Sequence, residues 1–323
     1  MSNKEKIAVL TSGGDAPGMN AAIRAVVRAG IHFEFDIIGV YRGYNGLLNG
    51  EVQTMDLRSV SNVIGRGGTV LFTARSEEFN SPEGVKKAAE YCLNLGITGV
   101  VVIGGDGSFR GARDLSIAGI PCIGIPGTID NDIACSEYTI GFDTAMNTAM
   151  EMIDKIRDTA ASHDRCSVVE VMGRRCGAIA LQTGIACGAT SILVPEVKFN
   201  IENDVISKIQ STRATGKKHF IIVVAEGVGN VEELAFYIQS RTNIEARATI
   251  LGHVQRGGSP SVRDRVVASS MGHKAVELLS KHIGNRVVAM QDGQIVDLEI
   301  TKALEMKKSF DHELYKIAMN ISI

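Results

Sequence analysis

Gly13 and Gly14 sit side by side between a short apolar run and the sequence Asp15-Ala-Pro-Gly-Met-Asn20, which leads into a helical pattern. Backbone without side chains lets N–H groups approach a ligand closely, and the start of the following helix favours an anion, so the segment suits phosphate. Without a ligand it is simply a tight strand-to-helix turn. A second glycine-rich turn, Ile103-Gly-Gly-Asp-Gly-Ser-Phe-Arg-Gly111, contains an acid. It is not the dinucleotide fingerprint: after Gly105 and Gly107 the third glycine arrives only at Gly111, and Arg110 takes its place. No Walker A loop precedes Gly216-Lys217 either. Asp106 beside phosphate oxygens would be repelled, and Mg2+ between them removes the conflict.

A third turn, Ile125-Pro-Gly-Thr-Ile-Asp-Asn-Asp132, places Asp130 and Asp132 on either side of Asn131. In an extended or turned backbone the two carboxylates project to a similar side, one as a base and the other as a metal or structural partner; these residue types are also ordinary turn formers. In the fourth, Thr249-Ile-Leu-Gly-His-Val-Gln-Arg-Gly-Gly-Ser-Pro260, His253 and Arg256 form a cationic pair suited to a phosphate monoester. The alternative for such a histidine is a hydrogen-bonded core position. Arg165, Arg174 and Arg247 stand at the edges of apolar segments, and Arg75 follows the run 69–74. Arginines at strand ends, two acidic turns and two glycine-rich anion loops read together as phosphoryl transfer, whose catalysis is mainly positioning and charge stabilisation.

All four turns follow short β-rich apolar runs, and in open α/β sheets ligands bind at the carboxyl ends of strands. Strands are expected at 7–10, 37–41, 100–103, 122–125, 167–171, 220–225 and 286–290. Between them, Ile23, Val26 and Val27 within 20–29, and Ala149, Met152, Ile153 and Ile156 within 145–157, recur at helical spacing. Asp292-Gly293 between two apolar runs predicts a hairpin added to the sheet. The alternation predicts an α/β fold with largely parallel sheets, and 323 residues favour two domains. With no Pro-rich or Ser-rich linker, the chain is expected to cross between them on tight connections.

Thirty-four basic and 36 acidic side chains leave a formal charge of −2, so the overall field seeks neither nucleic acid nor an anionic membrane. No apolar run reaches the ~20 residues that span a bilayer, and the N-terminus lacks a signal-peptide core, so a cytoplasmic protein is expected. The six cysteines form no C-x-x-C and sit largely in apolar segments, as small core hydrophobes rather than disulfides or metal ligands.

Five segments, in order along the chain, carry a resemblance: Thr11-Ser-Gly-Gly-Asp-Ala-Pro-Gly-Met-Asn20, Gly104-Gly-Asp-Gly-Ser108, Pro126-Gly-Thr-Ile-Asp-Asn-Asp132, Val171-Met-Gly-Arg174 and Leu251-Gly-His-Val-Gln-Arg-Gly-Gly-Ser-Pro260. Together they resemble the bacterial ATP-dependent 6-phosphofructokinases. The resemblance implies two Rossmann-like domains with the active site in the cleft between them. Residues 1–141 with 255–305 would bind ATP, and 142–254 with 306–323 would bind fructose 6-phosphate. It also implies a glycolytic kinase making fructose 1,6-bisphosphate and ADP.

On the matching positions, Gly14, Tyr41, Arg75, Ser76, Gly105, Asp106, Gly107 and Ser108 would line the ATP site, with Asp106 holding Mg2+. Asp130 would take the proton of the sugar 1-hydroxyl, with Thr128, Ile129 and Asp132 as its neighbours, and Arg174 would stabilise the transferred phosphoryl group. Met172, Gly173 and Glu226 would contact the sugar. His253 and Arg256 would grip its 6-phosphate together with Arg165 and Arg247, which in the family reach across from a neighbouring subunit, so the resemblance implies a homotetramer.

The family also has pyrophosphate-dependent members resembling GGDD and PKTIDND, where this chain has Gly107 and Gly127; both glycines favour ATP over pyrophosphate as donor. A nucleotide-binding module without turnover is the third reading, against which Asp106, Asp130 and Arg174 speak. The family's allosteric effector site corresponds to Arg24, Arg28, Arg157, Gly188, Lys217, Lys218 and His219. Leu57, Thr190 and Thr215 depart from its usual residues, so an altered response to effectors is expected. Phe109 replaces the usual Tyr without expected effect.

Overall fold

The computed structural model describes residues 4–322. In chain order come β1 (Lys6–Thr11), α1 (Met19–His32), β2 (Asp36–Val40), α2 (Gly43–Asn49), β3 (Val52–Met55), α3 (Pro82–Leu95), β4 (Ile97–Gly104), α4 (Asp106–Ile117) and β5 (Cys122–Pro126). There follow α5 (Phe142–Ser162), β6 (Cys166–Val171), α6 (Ala178–Ala186), β7 (Ser191–Leu193), α7 (Ser207–Ala214), β8 (Phe220–Ala225), α8 (Val231–Thr242) and β9 (Ala246–Ile250). The chain ends with α9 (Val262–Ser280), β10 (Arg286–Gln291), β11 (Gln294–Glu299), α10 (Ile300–Glu305) and α11 (His312–Ile321).

Two compact units divide the chain. The first holds Met1–Ile129, Ile133–Thr144 and Arg256–Lys308; the second holds Asp130–Asp132, Ala145–Gln255 and Ser309–Ile323. The three residues of the acidic turn, which the sequence reading placed with the first segment, therefore group with the second unit.

In the first unit a seven-stranded sheet runs β11-β10-β5-β4-β1-β2-β3. It is parallel except for its edges, where β3 runs against β2 and β11 against β10. The hairpin turns at Asp292 and Gly293, both with positive φ, as the Asp-Gly pair requires. β4 is the innermost kind of strand: Ile-Thr-Gly-Val-Val-Val-Ile-Gly is buried at every position but Thr98, the near-continuous apolar run of a parallel strand covered on both faces. Helices α1 and α9 approach closely at Gly272, where a Cβ would lie 2.7 Å from that of Ala25. The order reverses between β1 and β4, and such a switch point opens a crevice at the strands' carboxyl ends.

In the second unit four parallel strands run β7-β8-β6-β9. Phe220 and Ile222 from β8, with Val168 from β6, pack under Leu234 and Ile238 of α8. Five cysteines are buried, and Cys176 is half-buried. No helix among the described residues is long and apolar enough to cross a membrane.

Asp264, wholly buried in the first turn of α9, anchors the segment after the acidic turn. It accepts hydrogen bonds from Tyr138 Oη (2.5 Å), Gly141 N (2.7 Å), Thr144 N (2.9 Å) and Thr144 Oγ1. Burial pushes its carboxyl up, and these donors pull it back. Asp264→Asn turns an acceptor atom into a donor facing other donors, so a loss of roughly 2–4 kcal/mol in stability is expected. Equilibrium denaturation of the purified variant measures it; a change below about 0.5 kcal/mol would contradict the anchoring role.

Candidate active site

In the first unit the anion loops follow adjacent strands. Ser12 N donates to Ile103 O (2.9 Å), so the turn after β1 lies directly beside the turn after β4. A Cβ at Gly104 would press on Ser108, whereas one at Gly107 would have no neighbour within 4 Å. Gly107 thus answers to no packing demand of the chain itself. At Gly127 a Cβ would lie 3.0 Å from Ile103 and 3.2 Å from Met19, contacts tight enough that a neighbour would have to give way.

Asp106 opens α4 with its carboxylate half-exposed and paired to Arg110 Nε (2.8 Å). No group of three or more His, Cys, Asp or Glu that could hold a metal occurs among the described residues. A single carboxylate at a bare-backbone turn fits a Mg2+ that keeps waters and phosphate oxygens as its other ligands.

Loop 66–76 closes over the first turn. Buried Asn20 donates to Arg66 O (3.0 Å) and Gly67 O (3.2 Å) and accepts from Val70 N (2.7 Å). Thr11 Oγ1 donates to Phe72 O (2.9 Å), and Thr73 Oγ1 donates to Gly13 O. Arg75 at the end of this loop is exposed, and Ser76 Oγ accepts from Phe79 N (3.3 Å). Tyr41 lies just past β2 with its hydroxyl on Gln53 Oε1 (2.5 Å). The tyrosine at the second anion loop is Tyr44, passed over in the sequence, whose hydroxyl donates to Ser108 O (2.6 Å) and whose ring stacks on Phe79. Arg256 crosses the first loop: its Nη1 donates to Asp15 O (3.1 Å) and would lie 2.5 Å from a Cβ at Gly14.

Thr128 and Ile129 are buried in the first unit, and Thr139 Oγ1 holds Thr128 O (2.6 Å). The next residue, Asp130, belongs to the second unit. Its carboxylate is completely buried, and Arg174 Nε reaches Oδ2 at 3.2 Å. Asn131 adopts a left-handed φ of 50°, and Asp132 is half-buried beside it.

Arg174 stands at the carboxyl end of β6 in a strained loop. Gly173 has φ 141° and Arg174 φ 53°, and non-glycine residues rarely hold such a conformation unless the surroundings over-determine it. Here Arg174 N donates to Glu226, the first residue past β8, and Gly177 N donates to Glu196 Oε1 (2.8 Å). Glu196 was not singled out in the sequence. Met172 and Gly173 are buried under the loop, and His253 is exposed in the turn after β9.

Arg165 and Arg247 are elsewhere. Arg165 precedes β6 and Arg247 is the second residue of β9, so both lie at the amino ends of the strands whose carboxyl ends carry Arg174 and His253. At ~3.3 Å per residue, roughly 20 Å of strand separates the two ends. Glu245, another residue the sequence reading missed, joins them: Arg165 Nε lies 2.7 Å from its Oε2 and Arg247 Nη2 2.6 Å from its Oε1.

The basic residues matched to the effector site fall in both units. Arg24 is held below its ordinary pKa by burial and then by Arg28, one turn along α1. In the second unit Arg157, Lys217 and His219 sit close enough that, after burial, Arg157 pushes Lys217 down and both cations push His219 down. Lys218 follows Lys217 directly, and Gly188 takes a left-handed φ of 58°. Thr190 is buried, its hydroxyl making no hydrogen bond.

The sequence pattern of the phosphofructokinase family matches residues 6–279. An ATP-dependent 6-phosphofructokinase of Clostridium botulinum is 57% identical over 316 residues, covering 98% of this chain and 99% of that protein. The solved structure of phosphofructokinase from Saccharomyces cerevisiae superposes with a TM-score of 0.89 at 35% identity over 99% of this chain, which spans 48% of that longer chain. A pyrophosphate-dependent phosphofructokinase from Marinobacter aquaeolei shares the fold, with a TM-score of 0.85 at 21% identity over 96% of this chain and 86% of that one. The chain belongs to the phosphofructokinase family.

Proposed function

We propose that the protein is an ATP-dependent 6-phosphofructokinase, transferring the γ-phosphoryl group of ATP to the 1-hydroxyl of fructose 6-phosphate in glycolysis. The observation that carries the reading is the Asp130 carboxylate, fully buried and 3.2 Å from the Arg174 guanidinium, one residue beyond the buried pair Thr128–Ile129. Asp130 takes the proton of the 1-hydroxyl as its oxygen bonds to the γ-phosphorus, ADP leaves, and Arg174 balances charge on the phosphoryl oxygens. Asp132 and Thr128 hold the turn. Glu226, Met172 and Gly173 face the sugar, and His253 and Arg256 its 6-phosphate.

Gly14, Gly105, Gly107 and Ser108 present backbone to the nucleotide, with Tyr41, Arg75 and Ser76 beside it; Tyr44 braces the second loop through Ser108. Asp106 would hold the Mg2+, which draws charge from the β- and γ-phosphates when bound.

Arg165 and Arg247 lie too far along their strands to meet the sugar held at the carboxyl ends, which supports their serving a neighbouring copy in a homotetramer. The cluster of Arg157, Lys217 and His219 in the second unit suits an anionic effector, as does the pair Arg24 and Arg28 in the first. The reading places the enzyme in the cytoplasm.

A coupled assay of fructose 1,6-bisphosphate formation from fructose 6-phosphate, run with ATP or with pyrophosphate as sole donor, tests the donor. Turnover with ATP and at least 100-fold less with pyrophosphate is expected. A preference for pyrophosphate would overturn the donor assignment, and sugar-independent nucleotide binding without turnover would leave a nucleotide-binding module.

A further inference from the structure

We infer that Gln255 is a positioning residue that ties the turn presenting His253 to the loop presenting Arg174. The inference rests on the reading of those two residues as contacts to the sugar phosphate and the transferred phosphoryl group.

Gln255 is completely buried, unusual for a glutamine, and both ends of its amide are used. Oε1 accepts from Met172 N (3.2 Å), and Nε2 donates to Gly252 O (3.1 Å). The position of these bonds explains the residue type. β6 and β9 pair in parallel up to Glu170 and Ile250, and Leu251 N still donates to Glu170 O (3.1 Å). Continued regularly, the ladder would next join Met172 N to the carbonyl of Leu251. β9 instead ends at Ile250, and the chain turns at Gly252, with φ 56°, into the short helical turn Gly252–Arg256.

Gln255 folds back from that turn and puts its side-chain carbonyl where the missing strand's carbonyl would have been. The amide N–H on the same group then closes the turn on Gly252. A side chain with one acceptor and one donor on a single planar group suits this double duty; a hydrocarbon would leave a buried N–H and a buried carbonyl unpaired.

The consequence is a short path within the second unit: His253, two residues before Gln255, is fixed relative to Met172, two residues before Arg174, which meets Asp130. Gln255 touches no reacting atom. It holds the 6-phosphate contact at a set distance from the group that steadies the transferred phosphoryl.

Gln255→Leu removes both bonds; Gln255→Glu keeps the acceptor for Met172 and sets a carboxylate against the Gly252 carbonyl, so the second variant serves if the first fails to fold. In both, the KM for fructose 6-phosphate is expected to rise about 10-fold or more while the KM for ATP changes less than about twofold. In a double-mutant cycle, His253→Ala is expected to cost less in the Gln255→Leu background than in the wild type, because the turn it belongs to is already displaced. Equal movement of both KM values, or additive effects in the cycle, would reduce Gln255 to a general stabilising role and overturn the inference. Calorimetric binding of fructose 6-phosphate separates the failures. If wild type does not bind the sugar phosphate, the substrate assignment falls and this inference with it; if wild type binds and the Gln255 variants bind equally well, only the role of Gln255 falls.

Discussion

Asp130→Ser is expected to lower kcat by roughly 100- to 10,000-fold, the usual contribution of a positioned general base, and to leave the KM for ATP within about twofold. The physical ground is the environment of the carboxylate. It is removed from solvent and faces the Arg174 guanidinium, so it is held in place rather than hydrated, while serine at the same position has no basicity at neutral pH. The glycine-rich loops proposed to hold the nucleotide belong to the first unit and do not include this side chain, which is why ATP binding should be spared. Steady-state kinetics with both substrates varied is the check. A kcat within threefold of wild type would remove Asp130 from the chemistry.

The second large effect concerns Arg247. Arg247→Ser alone should raise the KM for fructose 6-phosphate by one to two orders of magnitude through loss of a charged phosphate contact. Because Arg247 and Arg165 sit at the amino ends of β9 and β6 while Arg174 sits at a carboxyl end, the proposed contacts of both sets to one sugar phosphate require two chains. Co-expressing Asp130→Ser and Arg247→Ser chains, and isolating oligomers that contain both, should therefore restore activity. With random assembly about a quarter of sites combine an intact Asp130 from one chain with an intact Arg247 from the other. Activity near a quarter of wild type at low sugar phosphate is the expected result. Hybrids no better than the mean of the two parents would place each site within a single chain.

Three of the four turns stood out in the sequence because each joins an apolar run to glycines and charges, whereas the fourth, after β9, was marked by its glycines and charges alone; the parallel sheets put all four at strand ends as expected. The strands 7–10, 100–103, 122–125 and 167–171 fall within β1, β4, β5 and β6; in the first three, burial on both faces writes an unbroken apolar run, and in β6 only Ser167 and Glu170 interrupt it. β3, β7 and β9 were not foreseen. Val-Gln-Thr-Met and Ala-Arg-Ala-Thr-Ile are edge strands with polar positions, and Ser-Ile-Leu is three residues long, so none carries the period that marks a strand.

Charge misled in other places. Asp264 reads as surface in the run Val262-Arg-Asp-Arg265, yet it is completely buried, and four donors from residues 138–144 meet it. Tyr44 and Glu245 escaped notice because their partners, Ser108 and the two arginines, are remote in sequence or meaningful only once the strands are aligned. Gln255 lay inside a quoted motif, but nothing in its neighbours signals that a ladder ends beside it.

The interior sulfurs have a use of their own to an experimenter. Burial pushes the thiols of Cys92, Cys122 and Cys166 up to about 12, so near neutrality they stay protonated and unreactive even if a reagent arrived. Alkylation at those positions waits for the fold to open, which makes them clocks for opening spread over both units, while Cys176, beside Arg174 and Arg175, is the one an oxidant or electrophile meets first.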